Sequence, residues 1–96
     1  MTKDELAKIS MMIITHAGVA KSLAFEAITE FKVGNNEIAK KHIIEAEENL
    51  KLASQEHFKC LIIDAKSSIT IDILYVHAED QLISAETVIN FAKILF

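Results

Sequence analysis

Residues 75–83 read Tyr75-Val76-His77-Ala78-Glu79-Asp80-Gln81-Leu82-Ile83, with a histidine and an acid three residues apart in an otherwise apolar segment. At about 100° per residue on a helical wheel, the surrounding residues sort into two stripes. Leu74, Ala78, Leu82, Ala85, Ile89, Ala92 and Phe96 form one, the face expected to pack inside a helix bundle. Ile73, Val76, Asp80, Ile83, Thr87, Asn90 and Ile94 form the other, in the alternating three-four spacing of a coiled-coil seam over about three heptads. A single three-helix bundle cannot bury both stripes of one helix. The second stripe is therefore expected to meet copies of itself about a symmetry axis.

Two breaks divide the chain upstream of this helix. Gly34-Asn35-Asn36 supplies a glycine suited to the left-handed end of a helix and an asparagine suited to the next N-cap. Lys66-Ser67-Ser68-Ile69-Thr70 is polar, and helix three is expected to start near Thr70 or Asp72. The first helix opens with a capping-box pattern, Thr2 with Glu5. Leu6, Ile9, Ile13, His16, Ala20, Leu23, Ala27 and Phe31 follow as its expected core face. Gly18 inside this helix costs about 1 kcal/mol relative to alanine, which close approach of another backbone would explain. In helix two, Ala39, Ile43, Ala46, Leu50, Ala53, His57 and Leu61 share one face, with Lys40, Glu47, Glu48 and Lys51 on a solvated opposite one. The pattern predicts one domain over residues 1–96 with helices at about 2–33, 36–65 and 71–95. The short first connection makes it an all-α, antiparallel, up-down-up three-helix bundle.

Composition narrows the function. The chain has no proline, two glycines and 51% hydrophobic residues. A bundle of this size buries only about 60–65% of its unfolded surface, so the excess apolar surface points to burial between subunits. A net charge of −4, with every basic residue a lysine, excludes a nucleic-acid binder with an arginine-bearing basic face. The lone cysteine, Cys60, is expected to be a buried, inert thiol among Phe58, Leu61 and Ile62. Met11 and Met12 are expected as core filler. The polar, acidic start shows no signal peptide and no run of about 18 apolar residues occurs, so a cytoplasmic location is expected.

Asp80 occupies an a position of the second seam. Copies converging on an axis cannot all stay ionised unaided. Protonation or a shared hard cation such as Mg²⁺ would relieve the repulsion; a polar, register-setting residue is the plainer alternative. His77 lies at the neighbouring e position, in a groove beside a second subunit. There it is either a structural histidine or a neutral imidazole acting as a nucleophile near pH 7. His16 and His57 read as hydrogen-bonded interior histidines. Glu-x-x-His pairs on the right faces are absent, which disfavours a di-iron bundle. No Gly-rich phosphate loop, Cys-x-x-Cys or Gly-x-Ser-x-Gly occurs.

Two motifs carry a resemblance. Val76-His77-Ala78-Glu79-Asp80-Gln81-Leu82 resembles the Val-His-Ala-Gln-Asp-His-Leu type motif of the lactose/cellobiose (chitobiose) enzyme IIA components of the bacterial sugar phosphotransferase system. His16-Ala17-Gly18-Val19-Ala20-Lys21-Ser22 resembles the same family's His-Ala-Gly-x-Ala-[Arg/Lys]-Ser signature. Ile44-Glu45-Ala46-Glu47-Glu48, Ala53 through Ile62, and Lys66-Ser67-Ser68 with Leu74-Tyr75-Val76 extend the likeness over the whole chain. The resemblance implies a cytoplasmic homotrimer, a nine-helix bundle. His77 would take a phosphoryl group from the phosphocarrier HPr and pass it to the cognate enzyme IIB. Asp80 would hold a divalent cation at the trimer axis. Gln81, one turn on, would contact a phosphate oxygen.

The chain departs from the family pattern in three places. Glu79 stands where the family usually has glutamine, and Gln81 where it usually has a second histidine. Ala53-Ser54-Gln55-Glu56-His57-Phe58 replaces an Ala-His-x-x-Gln-Thr run. On the wheel Glu79 points about 160° away from His77, so its effect within one chain is expected to be small. The departures keep two alternatives in view: a drifted regulatory or structural trimer that binds protein partners without phosphoryl transfer, and a plain metal-binding bundle. The sugar is not legible in this chain.

Overall fold

Thr2 starts α1 as its capping box predicts. Its hydroxyl oxygen accepts from the Glu5 backbone N–H at 3.1 Å and donates to the Glu5 carboxylate at 3.0 Å, satisfying a donor that a helix end otherwise leaves bare. In the computed structural model, which describes residues 1–66 and 70–96, the chain forms α1 (Lys3–Lys32), α2 (Asn36–Lys66) and α3 (Ile73–Leu95), with no strand among the described residues. The rod they form measures 49 × 19 × 15 Å. Gly34 ends α1 at φ +89°, where a side chain would be strained. Its N–H and that of Asn35 donate back to Phe31 and Glu30 carbonyls. The Asn35 carbonyl opens the ladder of α2 by accepting from Ala39 N–H, while its side-chain amide donates to Glu30 Oε2 at 2.7 Å. Asp72 caps α3, with Oδ1 accepting from Tyr75 N–H at 2.9 Å. Residues 67–69 of the predicted second break, and the part of the resemblance that falls on them, lie outside the described residues.

Three clusters run along the rod. Leu6 packs with Cys60 and Tyr75 at one end, and Ala27 with Ile43 and Ala92 at the other. Between them Ile13, Ala17, Ala20 and Ala24 meet Ala46 and Ala53 of α2 and Ala78, Leu82, Ala85 and Ile89 of α3. The centre is built largely from alanine, so the three backbones lie close and van der Waals contact replaces bulk.

Several expectations need correction. The fully buried stripe of α1 is Leu6, Ser10, Ile13, Ala17, Ala20, Ala24 and Ala27. Ile9, His16, Leu23 and Phe31 flank it, half-buried. Met11 and Met12 are exposed rather than core. In α2 the buried position near the C-terminal end is Cys60, and Leu61 faces out; in α3 Tyr75 is buried while Leu74 is half-buried and Phe96 exposed. Cys60 is fully buried, but against Leu6, Tyr75 and Ile9 rather than its exposed neighbours Phe58, Leu61 and Ile62. Beyond the neighbouring turns of α1, no atom of the described residues lies within 4 Å of a Cβ placed on Gly18, so close approach of another described helix is not the reason for that glycine. Finally, α1 is long and apolar enough by length and composition to cross a membrane. Its buried stripe instead forms the core shared with α2 and α3.

Candidate functional site on α3

Asp72 caps the start of α3, and Tyr75, Ala78, Leu82 and Ala85 form part of its buried face. Everything on the opposite side of the helix then faces outward. Ile73 is 88% exposed, Val76 52%, Ile83 62% and Ile94 80%, and Asp80, Thr87 and Asn90 of the same stripe are exposed as well. A contiguous row of isoleucine and valine in water is unfavourable at about 25 cal/mol per Å². Such a patch on a small protein marks a contact surface.

His77 is exposed and stands beside this row. Asp80 follows three residues later and Gln81 four, so the three side chains neighbour one another along one helical turn. Gln81 is half-buried. Asp80 has no hydrogen-bond or ion-pair partner among the described residues. Nor do three His, Cys, Asp or Glu side chains converge on a metal-sized space among the described residues of one chain. A single carboxylate fits a hard cation only where copies of it meet, as oxygen donors completed by water.

The inward face of this same turn holds a polar cluster that the sequence only half announced. Glu79 Oε2 lies 2.9 Å from His57 Nε2 of α2, both side chains partly buried. The His57 ring stacks on Tyr75, with centroids 6.2 Å apart and planes inclined by 25°. Burial, and then the facing carboxylate of Glu79, push the Tyr75 hydroxyl up to about 12. Burial, reinforced by Glu56 and Glu79, also raises the Cys60 thiol, against a hydrogen bond from Tyr75 that lowers it. Cys60 is thus a protonated, inaccessible thiol. The interior histidine expected at His57 does have a partner, and the partner is Glu79. The available signal was a histidine and an acid on the apolar faces of two packed helices. His16 is half-buried at the middle of α1. A separate groove of about 250 Å³ lies between α1 and α2 among Phe25, Glu26, Thr29, Glu30 and His42, toward the Ala27–Ile43–Ala92 end and apart from His77.

Comparison with known proteins places this geometry. Residues 8–96 match the family described as the PTS system, lactose/cellobiose-specific IIA subunit. The chain is 36% identical over 90 residues to the lichenan-specific phosphotransferase enzyme IIA component of Bacillus subtilis, covering 93% of this chain and 82% of that protein. Against the cellobiose-specific EIIA component of Lactococcus lactis it is 36% identical over 87 residues, covering 90% and 75%. The crystal structure of the PTS cellobiose-specific enzyme IIA from Bacillus anthracis superposes with a TM-score of 0.88 at 31% identity, over 97% of this chain and 84% of that one. The exposed histidine turn on a capped third helix thus sits in a chain that belongs to the lactose/cellobiose-specific IIA family of the sugar phosphotransferase system.

Proposed function

We propose that this chain is a phosphocarrier that accepts a phosphoryl group on His77 from phospho-HPr and delivers it to its cognate enzyme IIB. The observation that carries the reading is the exposure of His77 on a rigid helix, beside an outward apolar row and one turn before Gln81. An unprotonated imidazole nitrogen of His77 attacks phosphorus in line. The new N–P bond forms as the bond to HPr breaks, and HPr leaves with its electron pair. Such transfers need positioning and charge stabilisation more than covalent assistance. Gln81 offers an amide N–H to a phosphate oxygen. The second transfer is the reverse step with enzyme IIB as acceptor.

The helices run up-down-up, a reading supported by the pairing of Leu6 with Cys60 and Tyr75 at one end and of Ala27 with Ile43 and Ala92 at the other. Three chains assemble through the Ile73–Val76–Asp80–Ile83–Thr87–Asn90–Ile94 stripes as a nine-helix bundle. Asp80 from each holds a divalent cation, Mg²⁺ by its oxygen chemistry, which offsets the repulsion of converging carboxylates. The carrier works in the cytoplasm. Its sugar belongs to the lactose/cellobiose/chitobiose type, a reading supported by the family description and by the lichenan- and cellobiose-specific relatives.

Incubation with enzyme I, HPr and phosphoenolpyruvate tests the central step. Acid-labile phosphate is expected on the wild-type chain and absent from His77→Ala. Its absence from wild type, or its survival in the variant, rejects the assignment. A drifted, non-transferring trimer would show the first of these outcomes while still assembling.

A further inference from the structure

We infer that His57 and Glu79 form a positioning pair that sets the rotation of α3, and with it where His77 stands for phosphoryl transfer. The inference rests on the phosphocarrier reading above. Its ground is the placement of the pair. Tyr75, His77 and Glu79 alternate along α3, so Tyr75 and Glu79 fall within about 40° of one another and His77 about 160° away at helical pitch. The first two face α2, where Glu79 meets His57 at 2.9 Å and Tyr75 stacks on the same imidazole. His77 faces out.

Helix α2 shares less contact with α3 than α1 does with either. Apolar burial between α2 and α3 is correspondingly weak at holding their relative rotation. Among the described residues, ion pairs join them at His57–Glu79 near the His77 turn and, at 3.2 Å toward the other end, at Lys93–Glu47. The second is solvent-exposed on both sides, and exposed pairs of this kind fix geometry poorly. The first is partly buried and braced by a ring stack. It also turns the Glu79 carboxylate toward α2, away from the face on which a phosphoryl group would arrive.

Single-turnover phosphorylation by phospho-HPr tests the pair, with thermal melts and sedimentation establishing that each variant is folded and assembled like wild type. His57→Ala and Glu79→Ala are expected to lower the transfer rate at saturating phospho-HPr on the order of tenfold, within what small misplacements of reacting groups cost. The concentration of phospho-HPr giving half that rate is expected to stay unchanged. His57→Gln keeps an N–H donor for Glu79, and its rate is expected to return to within about twofold of wild type. NMR of the His77 imidazole, assigned through His77→Ala, gives a readout without phosphate. Its resonances should move in His57→Ala and return in His57→Gln. Equal transfer rates in His57→Ala and wild type, or His77 resonances unmoved in His57→Ala, would overturn the inference. Absence of phosphate from wild-type His77 would instead defeat the phosphocarrier reading, and the imidazole resonances would then judge the positioning role alone.

Discussion

Tyr75 offers a direct physical test of the α2–α3 contact, because it is the one tyrosine in a chain without tryptophan. Phenolate absorbance therefore reports this side chain alone. Its hydroxyl is pushed from 10.0 up to about 12, first by burial and then by the Glu79 carboxylate. The folded state thus holds the phenol proton more tightly than the unfolded state does. At 1.36 kcal/mol for each tenfold change, the rise corresponds to at most about 2.7 kcal/mol. That contribution is fully present below pH 10 and is lost as pH climbs toward 12, because between those values the native state binds more protons than the unfolded one. The Cys60 thiol, also raised by burial and neighbouring carboxylates, adds loss of the same sign as pH rises above its ordinary range. Against a total of about 5–15 kcal/mol for a small domain, the alkaline decline should be plain in urea titrations run between pH 9 and about 11.5. Tyr75→Phe should flatten most of it, and Glu79→Gln should bring the phenolate midpoint down without restoring it fully, since burial remains. A native-state midpoint at the free-tyrosine value, or an alkaline decline as steep in Tyr75→Phe, would refute the reasoning.

The remaining expectations can be checked with the same preparations. Ile83→Lys on the outward row should shift sedimentation equilibrium to monomer and make the melting midpoint fall with it, because assembly stabilises the folded chain by mass action. An unchanged assembly would remove that row from the interface. Gly18→Ala, with open space around the added methyl, should stabilise the single chain by about 1 kcal/mol in urea unfolding; weaker assembly in the same variant would show that a neighbouring copy is what needs the glycine. Ser10→Ala removes a buried hydroxyl that has no hydrogen-bond partner among the described residues and should stabilise by about 1 kcal/mol. Ile13→Ala, at a fully buried position, should cost about 2–5 kcal/mol.

The parts of the fold that were legible from sequence are those governed by neighbours along the chain. Thr2 with Glu5, Gly34 and Asp72 act within a few residues of themselves, and each does in space what its type implies. The outward row of α3 was legible because isoleucine and valine at three-four spacing mark a face whatever the rest of the chain does. The phase of α1 was legible only in part: Leu6, Ile13, Ala20 and Ala27 are buried as expected. Hydrophobic size favoured Ile9, His16, Leu23 and Phe31, whereas the innermost line is Ser10, Ala17 and Ala24. Where helices approach most closely only small residues fit, and small residues carry the weakest hydrophobic signal. Met11 and Met12 were misplaced by the same bias toward bulk.

The contact between His57 and Glu79 spans 22 positions and depends on how α2 and α3 are rotated against each other, which no local pattern encodes. It changes how two of the chain's departures from the family pattern are weighed. Read along the sequence, Glu79 and the altered run Ala53–Phe58 look like independent losses, each counting toward a protein drifting out of phosphoryl transfer. The altered run contributes His57 to the contact with Glu79. In space they face one another at 2.9 Å. The histidine and the carboxylate satisfy each other, so the two departures meet at a single contact. Unpaired, either group would be costly at a partly buried helix contact; paired, they leave the outward face bearing His77, Asp80 and Gln81 untouched. The departure that still bears on the chemistry is Gln81, since it alone stands beside His77 on the outward side of α3. A Gln81→His variant that speeds phosphoryl transfer severalfold, with His57 and Glu79 left in place, would locate the cost of divergence there.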